Sequence, residues 1–142
     1  MIWMVSPGQS PSRSDDLTAP EATVPPRPGF LRSFTYAGQG VWHVVRTQRN
    51  MRVHLAASVG AVAAGLALRI GAADWACVIL AIGLVLATEA LNTVVEALTD
   101  LCTREFHPLA KIAKDAAAGA VLITSLAALG VAIAVFLPRL LT

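Results

Sequence analysis

Three long apolar stretches, separated by short polar ones, fill residues 53–142. The first, 53–70, has about 18 residues, just enough for a helix to cross the hydrocarbon core of a bilayer. The second begins at Asp74 or Trp75 and runs to Leu98, and the third covers 113–137. No other partition of this part of the chain leaves so few charges inside apolar segments. The pattern predicts transmembrane helices over 53–70, 75–98 and 113–137. Pro138 is expected to end the last, because proline lacks the N–H that a helix interior uses. Over 30–51 the pattern is different: Phe34, Val41, Trp42 and Val45 are set against Arg32, His43, Arg46 and Arg49. This predicts an amphipathic helix on an anionic membrane surface, with Tyr36 and Trp42 at headgroup depth. A solvated basic linker is the competing reading. Residues 1–28, with Pro7, Pro11, Pro20, Pro25, Pro26 and Pro28, have no apolar periodicity and are expected to form a disordered arm. Only Ile2 to Val5 form an apolar run there, so no secretory leader is expected.

Composition agrees with a membrane class. Apolar residues make up 56% of the chain and charged residues 14%, against about a quarter charged in soluble domains. Mean hydropathy is +0.64. A net charge of +2 is too small to suggest a nucleic-acid partner. Where the charges fall is more informative. Residues 69–74 are nearly neutral, whereas the N-terminal arm and residues 100–114 hold Arg27, Arg32, Arg46, Arg49, Arg52, Arg104, Lys111 and Lys114. By the positive-inside rule the N-terminus and the second loop face the cytoplasm. Cys77 and Cys102 have no metal-ligand spacing. On one helix they would lie roughly 37 Å apart, beyond disulfide reach.

The candidate chemistry lies within the second span. Glu89, Asn92 and Glu96, with Asp100 at the cytoplasmic end, share one narrow stripe of a helix. Each intramembrane carboxylate costs about 2.5–3.5 kcal/mol or more on insertion scales, so the stripe must face a bundle interior or a ligand. Glu96 lies about 6 Å, and Glu89 about 16 Å, below Asp100 by helical rise. Glu96 is thus placed for a hydrophilic ligand and Glu89 for a lipid hydroxyl, with burial favouring a carboxylate that takes up a proton. Interhelical hydrogen bonds that only fix packing are the structural alternative. The third span opens on Lys111, Lys114 and Asp115 at an expected helix N-terminus, which favours phosphate. Glu105, Phe106 and His107 lie just upstream. Carboxylates for Mg²⁺ and nucleotide, cations for phosphate and a buried base make up a phosphoryl-transfer site. There is no GxxxxGK[ST], HExxH or kinase glycine-rich loop. Three spans enclose a polar site poorly, so sites built between subunits are expected, with Gly60, Ala64, Gly119 and Ala120 allowing close approach.

The run from Glu89 to Asp100, followed by Glu105-Phe106-His107-Pro108-Leu109-Ala110-Lys111-Ile112-Ala113-Lys114-Asp115, closely resembles the prokaryotic diacylglycerol kinase family, which includes undecaprenol kinases. The likeness continues upstream through Phe34 to Gly38, Gly40 and Arg49 to Arg52, and it covers roughly residues 30 to 138. The resemblance implies an all-α integral membrane homotrimer of three-span subunits, each with an N-terminal surface helix. It implies residence in the bacterial cytoplasmic membrane and phosphorylation of a lipid alcohol by ATP with Mg²⁺. By position, Glu89 resembles the family's catalytic base, Asn92 a polar residue that orients the reacting groups, and Glu96 the magnesium-nucleotide ligand. Tyr36, Glu105, Phe106, His107, Lys114 and Asp115 fall where the family contacts ATP. Gln48 departs from the pattern, because the family commonly places a second metal-binding glutamate there. An amide oxygen can ligate Mg²⁺ but adds no charge, so a weaker metal site is expected. Pro108 is more similar to the undecaprenol kinase branch, which favours a polyprenol over diacylglycerol.

Two other classes compete. A proton- or ion-coupled transporter could use Glu89 and Glu96 as a relay, but residues 77–86 continue outward with no polar side chain. A non-catalytic scaffold would account for the small residues but not for the pairing of Lys114 and Asp115 with the Glu89–Asn92–Glu96 stripe.

Overall fold

The computed structural model describes residues 29–141, in which four helices follow one another: α1 (Phe30–Thr47), α2 (Arg49–Ala67), α3 (Ala72–Cys102) and α4 (Pro108–Leu140). No strand occurs among the described residues. The proline-rich arm at 1–28 lies outside them. A single extended residue, Gln48, separates α1 from α2, and its N–H donates to the Val44 carbonyl at 2.8 Å. Arg49 to Arg52 therefore form the first turn of α2.

The end of α2 has a definite cause. Ile70 N–H donates to the Gly65 carbonyl and Arg69 N–H to the Leu66 carbonyl, at 3.1 and 3.3 Å, the two bonds of a Schellman cap. Such a cap needs a left-handed residue, and Arg69 takes that role at φ 50°. The helix consequently closes at Ala67, with Leu68 to Ile70 forming the turn into α3.

The α3–α4 pair is the backbone of the fold, with α2 packed on α3 and α1 touching the bundle near its C-terminal end. Both α3 and α4 are long and apolar enough to cross a membrane, yet only 22% and 11% of their most apolar stretches are buried within the chain. A soluble core helix would hide most of that surface, so lipid or further protein must cover it. Ile70, Val78 and Val135 form a small core with Trp75, Ile82 and Phe136 around it. Mid-bundle, the Thr88 and Thr124 hydroxyls meet at 2.9 Å.

Pro138 does not end α4, which continues to Leu140. Arg139 explains the continuation. Its Nη1 donates to the Val135 carbonyl at 2.7 Å and its Nη2 to Asp74 at 2.5 Å. The last turn of α4 is thereby tied to the first turn of α3, where Asp74 also accepts from the Gly71 N–H at 3.3 Å.

Packing between membrane helices relies on close van der Waals fit, because lipid is as apolar as a side chain. A Cβ on Gly65 would stand 2.9 Å from the Trp75 ring and 3.1 Å from Ile70. Gly65→Val is expected to destabilise the chain by about 1–3 kcal/mol. Arg69→Gly, which relieves the left-handed residue, is expected to stabilise it by about 0.5–1 kcal/mol. Thermal unfolding in detergent, followed by circular dichroism, should show midpoints moving in opposite directions.

Candidate functional site

The polar stripe of α3 is the buried seam of the bundle. Glu89 is 1% exposed and Asn92 7%, the only buried polar residues among those described. Asn92 Nδ2 donates to Glu96 Oε1 at 3.1 Å, and Gln48 Nε2 approaches Glu96 Oε2 at 3.4 Å from the α1–α2 break. Glu96 thus has an amide donor at each oxygen. Glu89 Oε2 and Asn92 Oδ1 are buried with no hydrogen-bond partner among the described residues. Leaving such atoms unpaired costs about 1–3 kcal/mol each, and buried polar atoms are normally satisfied. Two orphaned acceptors one helical turn apart mark a place that hydrogen-bond donors from outside the described residues would fill.

Toward the ends of α3 and α4 the seam opens into a cleft of about 380 Å³, within the range of small-ligand sites, about 300–1,000 Å³. Thr99, Asp100, Thr103 and Arg104 line it from α3 and the turn, with Glu105, Phe106, His107, Lys111, Lys114 and Asp115 opposite. Local bonds pin the turn. The Thr103 hydroxyl accepts from Glu105 N–H and donates to the Glu105 carbonyl, both at 3.2 Å. His107 Nδ1 accepts from Leu109 N–H at 3.2 Å. Because Nδ1 is an acceptor, the ring N–H lies on Nε2 and is available to an anion.

Helix α4 begins at Pro108, with His107 as N-cap. Lys111 to Asp115 therefore do not form the helix N-terminus that their charges suggest, and Lys114 stands nearly two turns inside the helix. Proline favours the first helical position, where its missing N–H is no loss, and the imidazole caps the turn before it. Lys114 acts as a side-chain charge and pairs with Asp100 at 2.5 Å across the cleft, while Lys111 pairs with Asp115 on its own helix. An incoming phosphate would exchange with these carboxylates.

Of the sequence-predicted residues, Glu89, Asn92, Glu96 and Gln48 come together in the seam, and Glu105, Phe106, His107, Lys114 and Asp115 share the cleft. Tyr36 joins neither group. It is exposed on α1, about 18 Å along the helix from Gln48 by helical rise. Thr99, Thr103 and Arg104 line the cleft although sequence reasoning passed over them. The four-residue spacing of Thr99 with Thr103 and of Asp100 with Arg104, across the end of α3, was the available signal. No group of three or more His, Cys, Asp or Glu side chains stands ready to hold a metal among the described residues. That donor set suits Mg²⁺ all the same, since this ion usually takes one or two carboxylates and completes its shell with phosphates and water. Glu96 would supply the carboxylate. Gln48 would supply an amide oxygen after rotating its side-chain amide.

Residues 35–136 match the family described as prokaryotic diacylglycerol kinase. An undecaprenol kinase of Bacillus subtilis (strain 168) is 40% identical over 111 residues, 78% of this chain and 90% of that protein. A diacylglycerol kinase of Synechocystis sp. (strain ATCC 27184 / PCC 6803 / Kazusa) is 43% identical over 116 residues, 81% of this chain and 66% of that protein. Apolar helices around a carboxylate seam, together with these relatives, define a membrane-embedded lipid kinase. The chain belongs to the prokaryotic diacylglycerol kinase family.

His107 serves two separable purposes, cap and cleft donor. His107→Asn keeps an N-cap acceptor and should leave the unfolding midpoint nearly unchanged, whereas His107→Ala should lose about 1 kcal/mol. Both variants should bind ATP more weakly, as read by the ATP-dependent rise in thermal midpoint.

Proposed function

We propose that the chain transfers the γ-phosphoryl group of ATP, with Mg²⁺, to the hydroxyl of undecaprenol at the cytoplasmic face of the bacterial cytoplasmic membrane. Diacylglycerol is the alternative acceptor. The observation that carries this reading is the unpartnered, fully buried carboxylate of Glu89. An apolar span does not retain such a group for packing, and a lipid hydroxyl reaching the seam supplies the donor it lacks. His107 and Pro108 and the likeness to the Bacillus undecaprenol kinase favour the polyprenol, and the likeness to the Synechocystis diacylglycerol kinase supports diacylglycerol.

In this mechanism the nucleotide occupies the cleft. Phe106, 81% exposed, offers a face to the base, and Arg104, His107 and Lys114 bind phosphate oxygens. Asn92, its Nδ2 held by Glu96, stands one helical turn from Glu89 and lines the place of the lipid hydroxyl, whose single proton is directed to Glu89. Glu89 removes the hydroxyl proton as the lipid oxygen forms its bond to the γ-phosphorus. The bond from that phosphorus to the β,γ-bridging oxygen breaks and ADP leaves, after which Glu89 returns its proton to water. Glu96 and Gln48 would hold Mg²⁺, which would supply charge neutralisation for the phosphates. Glu89 holds the acceptor at lipid depth while Glu96 stands nearer the cleft, so the seam joins an apolar substrate to a water-soluble one.

We further propose the architecture that this activity needs: α1 on the membrane surface, α2, α3 and α4 crossing it, and the N-terminus in the cytoplasm. Copies of the chain assemble as a homotrimer. The exposed apolar surface and the buried Ser125 hydroxyl, which has no hydrogen-bond partner among the described residues, support that assembly.

Purified protein in mixed micelles, offered labelled ATP with undecaprenol and diacylglycerol in parallel, tests the reading. Preferential labelling of undecaprenol is expected. A preference for diacylglycerol would move the assignment to the alternative, and labelling of neither would overturn it. In the same assay, Glu96→Gln should raise the Mg²⁺ concentration for half-maximal rate by about tenfold or more, and Gln48→Glu should lower it severalfold, since each changes one ligand charge. An unchanged Mg²⁺ dependence in both variants would remove these residues from the metal site.

A further inference from the structure

His54 has no part in the activity proposed above, yet the register of α2 against α3 brings it level with Glu89. Two contacts fix that register. The Trp75 ring packs against Gly65 at one end of the pair, and Gln48 reaches Glu96 at the other. The helices run antiparallel between these contacts. His54 lies eleven of the seventeen residues from Gly65 to Gln48, and the same fraction of the way from Trp75 to Glu96 ends at Glu89.

Helical phase agrees with this depth. Met51, His54, Ser58, Ala61 and Gly65, spaced three, four, three and four, are the buried or half-buried face of α2. Glu89 belongs to the buried face of α3, so the two residues share a depth and both lie on the packed faces of their helices. Glu96, two turns along the same stripe of α3, offers no donor as a carboxylate. From α4, the Thr124 hydroxyl is engaged with Thr88 and with its own helix. Glu89 Oε2 meanwhile has no hydrogen-bond partner among the described residues.

We infer that His54 is the positioning residue of the base: its ring N–H holds the Glu89 carboxylate toward the lipid hydroxyl during transfer. A charge-assisted N–H···O bond of this kind fixes which oxygen faces the substrate. His54 acts through Glu89 and touches neither nucleotide nor lipid, so its loss should appear in kcat and not in KM. The inference rests on the reading of Glu89 as the base.

The test uses the full chain in mixed micelles with ATP, Mg²⁺ and undecaprenol. His54→Phe is expected to lower kcat by about 10- to 100-fold, the size of effect that follows from misplacing a reacting group. Its KM values for ATP and lipid should remain within about twofold of the original protein, since uniform binding is untouched. His54→Gln keeps an N–H donor and should recover most of the rate at an unchanged unfolding midpoint. Should His54→Phe fail to assemble, His54→Ala with added imidazole gives the same reading: regained turnover supports the inference and no regain overturns it. An unchanged kcat in His54→Phe, a His54→Gln protein as slow as His54→Phe, or a loss confined to the lipid KM would each overturn it. Glu89→Gln separates the two levels. Activity in that variant would sink the base assignment and His54 with it, whereas inactivity beside a normal His54→Phe would sink His54 alone.

Discussion

A carboxylate buried without a partner in an apolar helix is the constraint on which the rest of this structure depends. Glu89 costs stability wherever its charge is not compensated, and the surrounding residues limit that cost without removing it. Asn92 and Glu96 continue the same helical face, so that one seam and not three separate lipid-facing positions bears the polar groups. Gln48 covers the end of the seam nearer the cleft from the α1–α2 break, and the register of α2 sets His54 level with Glu89. What remains unsatisfied, Glu89 Oε2 and Asn92 Oδ1, calls for donors from outside the described residues, and the hydroxyl of a lipid alcohol is the one proposed for Glu89.

The two ends of the α3–α4 pair differ in kind. At one, Asp74, Arg139 and the Schellman turn at Arg69 clasp the helix ends around a small apolar core, with Asp74 and Arg139 paired to each other. At the other, Lys114 pairs with Asp100 across an open cleft and Lys111 with Asp115 along α4. Exposed ion pairs of this sort contribute little to stability, so a competing phosphate displaces them at small cost. A closed end beside an open one lets the helix pair stay fixed while ligands exchange.

Much of this was legible in the sequence because it depends on periodicity along one helix. The offsets of Glu89, Asn92, Glu96 and Asp100 alone place them on one stripe, and apolar length alone marks α3 and α4. What was not legible depends on local competition or on tertiary register. Pro138 reads as a stop, but Arg139 holds the final turn together from its side chain. Lys111 to Asp115 read as a helix start, although Pro108 behind a capping His107 begins the helix earlier. Tyr36 was grouped with the nucleotide residues by resemblance, and within one chain it lies exposed on α1 and is not among the residues that line the cleft. His54 was invisible as a partner of Glu89, because no spacing within one helix reports what stands opposite on another.

The central claim is that Glu89 is kept for chemistry at the expense of stability. Thermal unfolding of Glu89→Met, measured beside its turnover in the same detergent, tests it most directly. Methionine is of similar size and needs no hydrogen-bond partner, so the account predicts a higher unfolding midpoint together with lost phosphoryl transfer. A lower midpoint would contradict it, by showing that the carboxylate is a structural anchor whose hydrogen bonds hold the helices together.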